Sequence, residues 1–437
     1  MSLESLRLRK EVKANQWLKE SDLQDIQLAK LKALLVHAGQ KVPYHRKRFK
    51  ESGFGPESLR SLTDLKRIPI MTKADLRNTP VEQLVSEGVA PDTLKRVGTS
   101  GTTGPPGIVL LDARAMKWRG ACAARTAEAL GYDPWDHGAV LHFTYPKVDR
   151  AASPLSEKLK AWAMDRRRRY SRPYYFTYDC AEILDDLIRF KPKVIDGQPS
   201  YLRNLADAVK RSGRSLSLKL LSSSGDILDP TTRSYLESFF SCPVYDVYGS
   251  RDVGPMAWQC REKASYHMNI DNQIFELVNS DGEECAPGEV GRLLATTLEN
   301  YTMPLLRYDT GDMMSFDPRP CPCGRLLPLI KNLEGRASDF LTLPSGRRIS
   351  PRAVVWELGT IFDIPVHQLV ASEPDEFIVR FYAKVSQEIA GQAIAKCNAL
   401  FGNEVTVTVA VIEEEPKAKL RSVIPYVQPS GVQAAAS

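Results

Sequence analysis

Residues 191 to 249 alternate short apolar runs with amphipathic stretches, in the order KPKVIDG, YLRNLADAVKRSG, LSLKLLSSSG, PTTRSYLESFF and CPVYDVYG. That βαβαβ rhythm constrains the fold more than any other feature of the chain. Strands joined through helices lie parallel, because a tight turn returns the chain antiparallel. A largely parallel sheet flanked by helices is therefore expected, and a similar alternation runs from about residue 90 to residue 310.

At 437 residues the chain is about three times a ~150-residue domain, so at least two domains are expected. Its 43% hydrophobic and 26% charged residues exclude a chain that is mostly disordered. Leu23, Ile26, Leu28, Leu31, Leu34 and Leu35 recur at helical spacing up to His37, and Val42-Pro43-Tyr44 breaks the pattern. The texture changes after the stretch Gly335 to Phe340. Phe377 to Tyr382 reads as a strand, and Ile389, Ala393, Cys397 and Leu400 mark one helix face. Val405, Val407, Val409 and Val411 then alternate as on a half-buried strand. A small α+β unit is expected there, with a disordered tail over 428–437.

No stretch reaches the ~20 apolar residues of a membrane span, and the opening MSLESLRLRKEVK lacks the apolar core of a secretion signal. A cytoplasmic protein without membrane contact is expected. The net charge of +6, from 59 basic and 53 acidic side chains, suits nucleotides without demanding nucleic acid. Eight cysteines scattered through such a chain point to metal binding or burial rather than a disulfide framework.

The richest segment for chemistry is Gly98-Thr99-Ser100-Gly101-Thr102-Thr103-Gly104-Pro105-Pro106-Gly107. Glycines let the backbone approach a ligand and turn its N–H groups inward, while hydroxyls add donors for phosphate oxygens. The run lacks the Gly-Lys-Ser/Thr ending of a Walker loop, which disfavours a P-loop kinase or ATPase. Ser224-Gly225-Asp226, Tyr248-Gly249-Ser250-Arg251-Asp252, Arg307-Tyr308-Asp309-Thr310-Gly311-Asp312, Gly335-Arg336 and Lys419-Leu420-Arg421 follow in order. As a set they resemble the adenylate-forming superfamily of acyl ligases. LKALLVHAGQKVPYHRKRF, with IPIMTKADLR after it, is similar to the phenylacetate-coenzyme A ligase branch in particular.

The resemblance implies an α/β fold: a large N-terminal ATP- and acyl-binding domain over 1–334, a hinge at 335–340 and a small mobile C-terminal domain over 341–427. It implies that Thr99, Ser100, Gly101, Thr102, Thr103 and Gly104 hold phosphates, and that Asp252 binds magnesium where the family usually has glutamate. Asp312 would accept the ribose hydroxyls. Tyr248, beside Gly249 and Ser250, would stack on adenine, with Ser224, Gly225 and Asp226 along the adenine edge. Arg336 joins the nucleotide-binding residues. Lys419 would neutralise charge at the α-phosphate, with Lys417 a competitor because the glycine of the family's Gly-Lys-x-Arg pattern is absent. Two departures are notable: Pro105 stands where a lysine usually ends the glycine loop, and Arg251 replaces a threonine. Arg251 either supplies the missing cation or points to solvent or to Asp252. The hinge also departs from the family, with Ser338 at the usual pivot and Asp339 next to it.

Cys260, His267, Cys321 and Cys323 form a candidate Cys3His zinc set with no open position, hence structural. The two ligand pairs are about fifty residues apart in sequence, so only the fold could unite them. Buried cysteines are the alternative. His142, Phe143 and Tyr145 follow a strand and either wall an acyl pocket or pack in the core. The basic run at 165–170 either meets phosphates or is a solvated stretch.

The expected activity is that of an AMP-forming acid–thiol ligase. ATP with Mg2+ activates a carboxylic acid, aromatic by the resemblance, and coenzyme A takes the acyl group. One alternative hands the adenylate to an acyl carrier protein or an amine. Another, from a different class, is a zinc-stabilised nucleic-acid-binding protein. A homodimer is compatible with all three.

Overall fold

The computed structural model describes residues 2–98, 107–133, 136–143, 171–176, 180–361, 364–365, 367–412 and 421–427. The chain divides into two compact units, Met1–Pro134 with Tyr245–Leu333, and Trp135–Val244 with Glu334–Ser437. Residues 135–244 thus group with the stretch from Glu334 onward.

In the first unit the helix Glu20–Lys41 buries Leu23, Leu31, Leu34 and Leu35, the face marked by their spacing. Val42 ends it in an extended conformation, and Pro43 opens the next helix, Pro43–Ser52. Proline suits that first position because its missing N–H would have no helical partner there. The strands run in the order Gln273–Val278, Gly291–Thr297, Tyr308–Asp317, Leu329–Arg336, Tyr266–Met268, Gly254–Gln259 and Val244–Ser250. Their described pairings are antiparallel. The sheet pairing is thus mixed where a mainly parallel one was expected. The links from Ser250 to Gly254 and from Gln259 to Tyr266 are too short for the crossover that a parallel pair needs.

A buried ion pair ties the N-terminal helix to this unit. Arg125, on the helix Ala113–Leu130, lies 2.6 Å from a carboxylate oxygen of Asp271, and both side chains are out of solvent. Arg125 also donates to the Val12 carbonyl (2.8 Å) and to Asn269 (2.6 Å), while Asn15 donates to Asp271 (2.8 Å).

The second unit contains the predicted βαβαβ region. Gly138–Phe143 pairs in parallel with Ser171–Phe176 and with Val194–Gly197, which pairs in parallel with Leu220–Ser224. Helices Ala181–Phe190, Pro199–Ser212 and Pro230–Phe240 bury Leu187, Leu202, Leu205 and Leu236 in one core with Ile195 and Leu221. A separate core forms over residues 341–423, where the strand Glu376–Phe381 and the helix Gln387–Phe401 fall as expected. The strand Thr406–Val411 buries Val407, whereas Val411 is exposed at its end. No described helix is long and apolar enough to cross a membrane.

Replacing Arg125 by Met leaves the Asp271 carboxylate buried without its cation. A stability loss of about 3–5 kcal/mol is expected. Urea unfolding followed by tryptophan fluorescence checks it, and a loss within ~0.5 kcal/mol would contradict the pairing.

Candidate active site

The chemistry-bearing residues of the first unit meet on two strands. Val244–Ser250 and Gly254–Gln259 form a hairpin with Tyr248 opposite Ala257, Gly249 opposite Pro255 and Ser250 opposite Gly254, and with an irregularity between Tyr248 and Gly249. Gly249 permits the approach, since a Cβ there would lie 2.7 Å from the Gly254 carbonyl oxygen. Asp252 sits in the turn with only 5% of its surface exposed. Its Oδ2 accepts the Tyr308 hydroxyl at 2.8 Å and its Oδ1 accepts the Val253 N–H at 3.2 Å. Arg251 stands exposed beside it, with no side-chain partner among the described residues, so it does not pair with Asp252.

The strand Tyr308–Asp317 opens with the second acid. Asp309 accepts the Gly311 N–H (2.8 Å), the Thr310 hydroxyl accepts the Asp312 N–H (3.2 Å), and Gly311 takes φ +78°. These turn-forming contacts present Asp312, whose Oδ2 accepts the Tyr248 hydroxyl at 2.6 Å. Burial, then the negative charge of Asp312, raises Tyr248 well above the ordinary phenol value. Burial, then Asp252, does the same for Tyr308. Both phenols therefore stay protonated and donate to their acids. A buried tyrosine hydroxyl needs a partner, and a carboxylate is a strong one.

The segment IPIMTKADLR is stitched to this strand. The Met71 N–H donates to the Arg307 carbonyl (3.0 Å), the Asp309 N–H donates to the Met71 carbonyl (2.8 Å), and Lys73 Nζ donates to the Thr310 carbonyl (2.6 Å). Arg307 is buried with φ +50° and donates to Glu276 (3.0 Å) and to the carbonyls of Lys66 (2.9 Å) and Ile68 (2.8 Å). Tyr308 and Lys73 carried no role in the sequence reading, although both lie in segments that marked the resemblance.

In the second unit, Ser224 ends the parallel strand Leu220–Ser224 and Gly225 and Asp226 follow it, at the C-terminal end where open α/β sheets bind ligands. Asp196, on the neighbouring strand, accepts from Ser222 (2.8 Å) and Ser224 (3.4 Å), and burial raises its pKa above the usual carboxylate value. Gly225, at φ +78°, accepts from Gln198 through its carbonyl at 3.3 Å. Arg336 precedes the short turn Ala337–Asp339, and Asp339 pairs with Arg421 at 2.5 Å. Ser338 donates to Asp339 at 2.7 Å.

The expected metal set assembles. Ligand atoms of Cys260, His267, Cys321 and Cys323 lie within 4.8 Å of one another. Cys260 and Cys321 sulfurs are 3.5 Å apart, and Cys323 Sγ is 3.3 Å from His267 Nε2. His267 is fully buried, and its Nδ1 has no hydrogen-bond partner. Antiparallel pairing supplies the proximity, with His267 opposite Trp258 on one side and Leu329 on the other.

Thr99 to Gly104, Pro105, Tyr145, residues 165–170, Lys417 and Lys419 lie outside the described residues. The strands on either side of the glycine run pair antiparallel, Gly98 opposite Ile108. Of His142 and Phe143 only the backbone is described, at the end of a parallel strand.

The family described as AMP-binding enzyme matches residues 97–298. A phenylacetate-coenzyme A ligase of Thermus thermophilus is 28% identical over 407 residues, covering 87% of each chain. A phenylacetate-coenzyme A ligase of Escherichia coli (strain K12) is 29% identical over 349 residues, covering 74% of this chain and 73% of its own. In fold, the chain is similar to a 2-hydroxyisobutyryl-CoA ligase solved in the postadenylation state in complex with 2-HIB-AMP. That match has a TM-score of 0.77 at 22% identity, over 94% of this chain and 90% of the other. Motifs and relatives point the same way: the chain carries an AMP-binding enzyme match and is similar to phenylacetate-coenzyme A ligases over 74% or more of its length.

Proposed function

We propose that this protein is an AMP-forming acid–coenzyme A ligase acting on an aromatic carboxylic acid. The observation that carries the reading is the pairing of Asp252 with Tyr308 and of Asp312 with Tyr248 at the nucleotide motifs. A carboxylate oxygen of the substrate attacks the α-phosphorus of ATP, the bond to the β-phosphate oxygen breaks, and pyrophosphate leaves. The coenzyme A thiolate then attacks the acyl carbon, and AMP departs with the bonding pair. Neither step needs a nucleophile from the enzyme, so catalysis consists of positioning and charge stabilisation.

The roles follow from chemistry. Asp312, held by Tyr248, is suited to accept two ribose hydroxyls. Tyr248 is the candidate for stacking on adenine. The loop Thr99–Gly104 cradles phosphates, and Lys419 neutralises charge at the α-phosphate. Arg251, exposed and uncommitted among the described residues, supplies the cation that Pro105 cannot. Residues 335–340 act as the hinge of a small domain over 341–427, a reading supported by that region's own core.

Magnesium is usually held by one or two carboxylates together with substrate phosphates, and the hard oxygens of Asp252 fit that demand. When bound, it would offset phosphate charge. Zinc fits the second cluster, where three sulfurs and the His267 imidazole, whose Nε2 lies 3.3 Å from Cys323 Sγ, make up a closed donor set. There it would brace the strands without taking part in the reaction. The nucleic-acid reading leaves the paired acids and tyrosines unexplained. ATP and coenzyme A as substrates are consistent with work in the cytoplasm.

Pyrophosphate release should depend on an aromatic acid, and coenzyme A should convert the adenylate to a thioester with AMP. Lys419→Ala should lose adenylation by orders of magnitude yet still transfer a supplied acyl-AMP. No acid-dependent release across a panel of aromatic and aliphatic acids would sink the assignment. If Lys417→Ala shows the loss instead, the catalytic lysine is misplaced.

Metal analysis of freshly purified, chelator-free protein should find about one zinc per chain. Cys321→Ser should lower the melting temperature more than the activity per folded molecule, because a closed site braces the fold. Absence of stoichiometric zinc would refute the site.

A further inference from the structure

Asp252 is held from two directions by residues that no motif of the sequence assigns to it. Tyr308 fixes the side chain. Its hydroxyl donates to Oδ2 at 2.8 Å, and the tyrosine is fully buried, so the donor cannot swing away to water. Arg119, on the helix Ala113–Leu130, fixes the backbone. Its Nη1 donates to the Arg251 carbonyl at 2.8 Å and its Nη2 donates to the Asp252 carbonyl. Those carbonyls belong to the two peptide planes flanking the Asp252 Cα, so one rigid guanidinium sets the direction in which the carboxylate leaves the chain.

The hairpin is shaped to receive this arginine. Gly254 takes φ +108°, and a Cβ there would come within 3.0 Å of the Arg119 Nε and 3.2 Å of its Cγ and Cδ. The arginine shaft occupies the space that a side chain at 254 would fill. Nη1 and Nη2 both donate to carbonyls rather than to a carboxylate. A guanidinium devoted to one turn points to a turn whose geometry matters.

We propose that Arg119 and Tyr308 are positioning residues that lock Asp252 in the orientation in which it meets the divalent cation of the nucleotide. This rests on the reading of Asp252 as the magnesium-binding acid. Residues that orient a metal ligand typically change metal affinity by about 10- to 100-fold when removed, whereas a packing role changes stability alone.

The test titrates Mn2+ into the full chain saturated with a non-hydrolysable ATP analogue, reading bound ion by electron paramagnetic resonance alongside melting temperature. Asp252→Asn reports on the underlying reading. Tyr308→Phe, which removes one oxygen, and Arg119→Met are each expected to weaken Mn2+ binding about tenfold. Arg119→Lys should recover part of the loss, since an ammonium reaches one carbonyl at a time. The KM for Mg2+ in pyrophosphate exchange should rise in parallel. If Asp252→Asn weakens the ion while Tyr308→Phe and Arg119→Met bind it like the parent, the positioning proposal is overturned and the magnesium reading stands. If Asp252→Asn also binds like the parent, both fall. A lowered melting temperature with unchanged affinity per folded molecule likewise overturns it, and should Arg119→Met fail to fold, Tyr308→Phe and Arg119→Lys decide the matter.

Discussion

A carboxylate drawn into the protein needs donors for its lone pairs, and at Asp252 and Asp312 a phenol supplies one. Tyr308 donates to Asp252 and Tyr248 to Asp312, each acid being paired with a tyrosine from the other's segment. Val244–Ser250 and the strand beginning at Tyr308 are therefore coupled through side chains, and neither acid can rotate without breaking a charge-assisted hydrogen bond. The geometry of the proposed nucleotide site depends on this exchange. It also contributes to the raised pKa of both phenols, because ionising either would place a second negative charge against its acid.

Around that exchange the backbone is pressed into positions few residues tolerate. Gly249 admits a carbonyl where a methyl would collide, and Gly311 and Gly254 take positive φ. Arg307 takes positive φ with a full side chain, and its bonds to Glu276 and two carbonyls near Ile68 hold it there. Strain of this kind persists only where surrounding contacts over-determine it. The stitching of Met71 and Lys73 to residues 307–310 supplies those contacts, which gives the segment IPIMTKADLR a physical purpose.

The Cys3His cluster obeys different logic. Its members come from antiparallel strands and the turns beside them, as two local pairs about fifty residues apart in sequence. Four protein ligands would close the coordination sphere of a bound zinc, which would brace strands and leave chemistry to the proposed nucleotide site. That separation lets stability and turnover be altered independently.

The local patterns settled what depends on local physics. Helical spacing placed Leu23 to Leu35 on a buried face, the βαβαβ alternation placed the parallel strands through Ser224, and strand and helix periods placed Glu376 to Phe401. The residue types of Asp252, Asp312 and Tyr248 pointed to nucleotide chemistry through their order along the chain. Tertiary structure alone decided that Tyr248 belongs to Asp312 and Tyr308 to Asp252, with sequence separations of 64 and 56 residues. It alone decided that Arg119 would lie over Gly254, and that Cys260 and His267 would meet Cys321 and Cys323. The antiparallel pairing of residues 245–333 was equally illegible, since alternation shows which face of a strand is buried but not which neighbour it takes. Side-chain periodicity is a property of a few consecutive residues, whereas a hydrogen bond across a sheet requires the register of strands whose partners the chain selects only as it folds.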